Sequence, residues 1–199
     1  MRTLQTQPRR LIVGISGASG VIYGIRLLEL LRDVDLETHL VMSRSAEVTV
    51  GHEVSNKVAA IRALANVVHR NDDIGASIAS GSFQTMGMIV APCSIRSLSE
   101  ISSGVTSTLL TRAADVVLKE RRKLVLMVRE TPLHLGHLRS MAVAAELGAV
   151  ISPPMPAFYA KPQSLEEMID HTLGRILDQF EIEVGAVRRW KDQSNTPTD

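Results

Sequence analysis

An α/β fold with a doubly wound, mainly parallel sheet is what this sequence predicts, on two observations. Short β-rich apolar runs alternate with helix-length amphipathic stretches from residue 10 to residue 180. Between the first run and the first helical pattern stands a Gly/Ser turn, Gly14-Ile-Ser-Gly-Ala-Ser-Gly20. Strands separated by helices imply right-handed crossovers, and in such a sheet a ligand lies beyond the carboxyl ends of the strands, where their order reverses.

The elements follow in order. Strands are expected at 10–15, 37–42, 86–91, 124–128 and 149–151. Helices are expected at 21–32, with Ile25, Leu28 and Leu31 on one face, and at 45–50, 97–102, 109–120 and 135–147. A last helix, 164–180, opens with Ser164 as N-cap and Glu167 three residues on, a capping box. No internal repeat is present. The 199 residues read as one domain, with 1–9 and about 190–199 as flexible tails.

Composition excludes several function classes. A net charge of +1 supplies no domain-wide basic excess for a nucleic-acid backbone, and the local basic run Arg121-Arg-Lys123 is explained equally well by a solvated helix end. With 3% aromatic residues, a base-stacking platform is not expected either. The single Cys93 excludes an internal disulfide and a multi-cysteine metal site, which fits a reducing compartment. No stretch approaches the roughly 20 apolar residues of a membrane helix. The expectation is a cytoplasmic protein with no nucleic-acid and no membrane partner.

The residues that follow the strands carry the chemistry. In the first turn, glycines let backbone approach an anion, Ser16 and Ser19 add hydroxyls, and the helix that follows offers unpaired N–H groups. The spacing is G-x-x-G-x-x-G rather than the dinucleotide pattern G-x-G-x-x-G, and Ser43-Arg44 stands where an acidic residue would hold an adenine ribose. An NADP site using Arg44 is the weaker reading; a mononucleotide such as FMN fits better. After the third expected strand comes Ala91-Pro-Cys-Ser-Ile-Arg-Ser97, where Pro92 is expected to end the strand and Ser94 and Ser97 to serve either as a helix cap or as ligand contacts. After the fourth comes Arg129-Glu130, either a structural ion pair or the lining of a wet cleft. Arg112 and Lys119, seven apart, share a helix face. Glu53 reads as an exposed carboxylate unless the fold turns it toward the ligand, and spacing assigns no role to Tyr159 or Arg175.

With these pieces in order, the chain resembles the UbiX-like flavin prenyltransferases. The matching stretches are residues 11–26 (LIVGISGASGVIYGIR), 91–98 (APCSIRSL), 112–141 (RAADVVLKERRKLVLMVRETPLHLGHLRSM) and 153–162 (PPMPAFYAKP). The resemblance implies a three-layer Rossmann-like, flavodoxin-like flavoprotein that assembles as a dodecamer. It implies a metal-independent transfer of a dimethylallyl group from dimethylallyl monophosphate to N5 and C6 of reduced FMN, the prenylated FMN serving a partner decarboxylase of the UbiD type. Carried over by motif, Gly17, Ala18, Ser19, Ser43, Ser94, Ile95, Arg96, Ser97 and Arg129 hold FMN. Lys119, Tyr159 and Arg175, helped by Arg112, grip the prenyl phosphate. Glu53 and Glu130 match the acid/base carboxylates, with Ser19 and Lys119 also at the chemistry.

The residues agree with that reading. There is no DDxxD motif for a divalent ion, and Asp72-Asp73 is an isolated pair, so cations must stabilise the departing phosphate. A carboxylate poised near neutrality, expected at Glu53, would shuttle a proton. Two stretches depart from the family pattern: Ile95-Arg96, and 134–140, which lacks the usual Glu-Asn pair. An FMN-dependent cysteine decarboxylase, with His52 as base, is the nearest alternative, but 154–159 lacks the Asn of that family's substrate clamp. A non-catalytic flavin-carrying subunit is the other; it would not need Glu53, Lys119, Glu130, Tyr159 and Arg175 together.

Overall fold

The computed structural model describes residues 9–190; the expected tails fall almost wholly outside them. Six strands, β1 (Arg10–Ile15), β2 (Glu37–Met42), β3 (Val67–His69), β4 (Gly87–Cys93), β5 (Lys123–Val128) and β6 (Val150–Ile151), form one sheet in the order 3-2-1-4-5-6. Every pairing is parallel. The five expected strands thus stand in the flavodoxin-like order 2-1-3-4-5, and β3 extends that sheet at one edge to the Rossmann order.

Helices α1 (Val21–Leu31), α2 (Arg44–Glu53), α3 (Val58–Arg62) and α7 (Leu165–Leu177) contribute to the core on one face; α4 (Ile95–Ser102), α5 (Leu109–Lys119) and α6 (Leu135–Glu146) cover the other. The strands are buried on both faces, so alternate residues of β1 feed opposite cores: Leu11, Val13 and Ile15 pack toward α1 and α7, and Ile12 toward α5. Between β1 and β4 the chain winds outward in opposite directions, which makes their carboxyl ends the switch point.

Several boundaries differ from expectation. Pro92 does not end its strand: β4 runs on to Cys93 through an irregularity between Val90 and Cys93 that removes Pro92 from the ladder. The Ala91–Pro92 and Thr131–Pro132 peptides are cis. α2 starts one residue after Ser43, whose hydroxyl accepts from Ala46 N (3.0 Å). α7 is capped by Ser164 as expected, its hydroxyl accepting from Glu167 N (3.1 Å), but the α-helix ends at Leu177 in a 3-10 turn. Glu167 closes the box one residue early, accepting from Gln163 N (2.9 Å). Missed altogether are α3 and β3.

Candidate active site

Beyond β1 and β4, the two switch-point loops are tied together by Ser16. Fully buried, its hydroxyl donates to the Pro92 carbonyl (2.9 Å) and accepts from Ser94 N (2.7 Å). Ser16 therefore has no hydroxyl proton left for a ligand, and its expected role as a phosphate contact is corrected to that of a brace. The loop it braces passes so close to α2 that a Cβ at Gly17 would run into Ser45. Gly20 ends the loop at φ 96°, a conformation L side chains rarely adopt.

The positive end of α1 is not an open phosphate cradle either. Glu53 Oε2 accepts from Gly20 N (2.8 Å) and Val21 N (3.0 Å), so a carboxylate 33 residues away caps that helix. Partial burial pushes the Glu53 carboxyl up, but hydrogen bonds from Ser19, Gly20 and Val21 and the charge of Arg129 outweigh it, leaving it below the ordinary carboxylate value. The expectation of a group poised near neutrality is corrected: Glu53 is held ionised by the helix it caps. The charge of Arg129 also pulls against the burial that raises the Tyr23 phenol.

Next to this turn opens a cleft of about 460 Å³. Gly17, Ser43, Ser94, Ile95, Arg96, Ser97 and Glu130 line it, together with Arg44, Ser45, Asn71, Glu100, Thr108, Leu110 and Thr111. Three helices begin on its wall. Ser43 caps α2; Ser94 caps α4, accepting from Ser97 N (3.3 Å); Thr108 caps α5, accepting from Thr111 N (3.4 Å). The α5 end is already filled by Asn71 and Thr108, but the α2 and α4 ends on the same cavity suit an anionic ligand, and the donor set of hydroxyls, backbone N–H groups and Arg44 fits the phosphate and polyol of FMN. Arg96 is held by Glu100 (2.9 Å), whose carboxyl, pushed up by burial, is brought below its ordinary value by Arg96 and Ser107. Asn71, Glu100, Thr108 and Thr111 carried no sequence signal, because each faces the cleft only through the tertiary packing of α4, α5 and the segment after β3.

The donor-phosphate residues lie elsewhere. Lys119 ends α5, 11 residues and about 16 Å of helical rise beyond the cap at the cleft, where it pairs with Glu120. Arg175 is on the last turn of α7 in an ion pair with Asp178 (2.6 Å). That end of α7 leads to Phe180 beside Gly87, at the opening of β4 rather than its carboxyl end. Tyr159 packs edge-on between His171 and Trp190, exposed on its outer side. Arg112 pairs with Asp115 (2.6 Å) within α5. Within one chain, then, Gly17, Ser43, Ser94, Ile95, Arg96, Ser97 and Glu130 share the cleft, whereas Ala18, Ser19, Glu53, Arg129, Arg112, Lys119, Tyr159 and Arg175 are not on its lining. In the divergent stretch, His134 caps α6 by accepting from Gly136 N (3.0 Å).

Residues 2–182 match the flavoprotein family model. Flavin prenyltransferase UbiX of Escherichia coli K12 is 65% identical over 175 residues, covering 87% of this chain and 93% of that one. This chain belongs to the UbiX-type flavin prenyltransferases. Among solved members, a UbiX (PadA1) in complex with FMN and dimethylallyl pyrophosphate superposes with a TM-score of 0.91 at 49% identity, over 93% of this chain and 98% of that one. A dodecameric, FMN-dependent UbiX-like decarboxylase from E. coli O157:H7 gives 0.89 at 46% identity, over 92% and 99%. Among the described residues no group of three His, Cys, Asp or Glu is placed to hold a metal ion, and no helix is long and apolar enough to cross a membrane.

Proposed function

We propose that this chain is a flavin prenyltransferase that moves a dimethylallyl group from dimethylallyl monophosphate to reduced FMN. The product is prenylated FMN, made in the cytoplasm for a UbiD-type decarboxylase. The observation that carries the reading is the polar cleft at the β1/β4 switch point with three helix N-termini on its wall. Reduced FMN supplies the nucleophilic ring atoms that accept the allyl group. The protein's part is to position and to stabilise charge. Ser43, Ser94, Ser97 and Arg44 hold the polar chain of the flavin. Gly17, Ala18 and Ser19 let the ring approach the backbone, and Arg129 stands beside it. Glu53, ionised and reached by Ser19 at the start of α1, is assigned as proton acceptor, and Glu130 offers a second carboxylate on the cleft wall.

The allylic phosphate needs stabilisation as it leaves, and the set matched to it is the cations Lys119 and Arg175 with the hydroxyl of Tyr159. Because they stand away from the cleft of their own chain, we place them at the cleft of another copy, in a homododecamer like the solved relative. Incubating the protein with reduced FMN and dimethylallyl monophosphate, without added metal, tests the reading: the flavin gains the mass of one C5 prenyl unit. An unchanged flavin mass with FMN bound favours a carrier instead.

A further inference from the structure

We propose that Asn71 binds the FMN phosphate, holding helix α5 with one half of its amide and a phosphate oxygen with the other; this rests on the reading of the cleft as the FMN site. Asn71 stands two residues after β3, where the flavin cleft meets a second cleft of about 390 Å³ lined by Arg44, Arg62 and Arg70. Its backbone carbonyl accepts from Leu109 N (2.8 Å) and its side-chain Oδ1 from Leu110 N (3.1 Å). Those are the first two N–H groups of α5, so Asn71 caps this helix from outside while Thr108 caps it from within.

This contact decides the orientation of the amide. A backbone N–H only donates, so the side-chain atom facing Leu110 must be the oxygen. The planar amide then directs Nδ2 away from α5. Among the described residues no hydrogen-bond acceptor takes the Nδ2 protons, nor is that nitrogen a buried orphan. With Asn71 on the cleft wall, this donor is free to meet an acceptor held there. Arg44 is the other residue common to the two clefts, and the α2 and α4 ends face the same space, so the acceptor favoured there is an anion. The residue itself is anchored upstream: His69 is pinned to His39 (2.9 Å), and Arg70 is held by Asp72 (2.7 Å).

Two substitutions separate the halves of the amide. Asn71→Asp keeps an acceptor for Leu110 N but replaces the donor with a negative charge; Asn71→Ala removes both. We measure FMN and riboflavin affinity by flavin fluorescence, and the melting temperature of the flavin-free protein. Asn71→Asp is expected to melt like the parent while its FMN Kd rises about tenfold or more, with a much smaller loss for riboflavin, which lacks the phosphate. Asn71→Ala is expected to lower the melting temperature and weaken FMN by a smaller factor. Parental FMN affinity in Asn71→Asp, or equal losses for FMN and riboflavin, overturns the proposal. Failure of the parent protein itself to bind FMN overturns the reading of the cleft instead.

Discussion

Glu53 shows what one side chain contributes here. It bonds two N–H groups of α1 and one hydroxyl, so its charge serves the loop that approaches the flavin as well as any proton transfer. Glu53→Gln keeps an oxygen for Gly20 and Val21 but loses the charge beside Arg129. Turnover is expected to fall at least tenfold with FMN still bound, while stability falls by about 1 kcal/mol or less. Stopped-flow turnover and urea denaturation check the two halves. Because the folded carboxyl sits below its ordinary value, its stabilising contribution is complete above that value and is lost as pH falls through the folded one. Ser16→Ala gives the opposite pattern. It leaves the half-buried Ser94 N without an acceptor, at a cost of about 1 kcal/mol, and is expected to lower the melting temperature before it touches chemistry. That Glu53 is a carboxylate near the end of a short helix was legible in the sequence. Its partners were not, because contacts across 33 residues leave no local pattern.

Among the elements, β3 is the one most easily overlooked. Three residues, Val67, Val68 and His69, with only half-buried flanks, carry neither the length nor the alternation of a strand signal. What holds β3 on the sheet is polar. Asn66 Oδ1 accepts from Thr38 N (2.8 Å), and buried His39 links Glu37 (2.6 Å) to His69 (2.9 Å). Burial pushes both imidazoles below their ordinary value; for His39 it outweighs the raising pull of Glu37, and for His69 Arg-flanked His39 adds to it while Asp73 opposes. The folded pair therefore stays neutral where the unfolded chain is already protonated. Stability is complete above about pH 6.5 and is lost progressively as pH falls through the folded values. Urea midpoints measured from pH 7.5 to 5 are expected to drop, and to drop less in His69→Gln; equal slopes would discard the pair as the cause. Since Asn71 follows His69, the same acidification is expected to loosen the α5 wall of the flavin cleft.

For the whole molecule, the surface says as much as the core. α6 buries only Ala144 and leaves Leu135, Leu138 and Val143 exposed, with Leu133 and Leu147 flanking it. A second apolar exposure gathers Met155, Phe158, Tyr159 and Trp190. Exposed patches of this kind mark contacts between copies, and two distinct ones suit a closed assembly larger than a dimer. Leu138→Asp is expected to shrink the particle in analytical ultracentrifugation without unfolding the chain. If each flavin cleft borrows cations from a neighbour, Lys119→Ala and Glu130→Gln chains, each inactive alone, recover a fraction of activity when refolded together; no recovery on mixing places both residues at one chain's own site.

Five of the six strands with the main helices between them, the Gly/Ser turn after β1, the serine turn after β4 and the family resemblance followed from the sequence alone. Backbone preference and apolar periodicity are local properties, and the motif stretches are contiguous. The tertiary structure alone decided that Glu53 fills the α1 terminus, that Ser16 braces two loops, that Asn71 reaches the cleft, and that Lys119 stands about 16 Å of helix from the cap at the cleft. Each depends on which distant segments the closed sheet brings side by side, and no run of neighbouring residues encodes that distance.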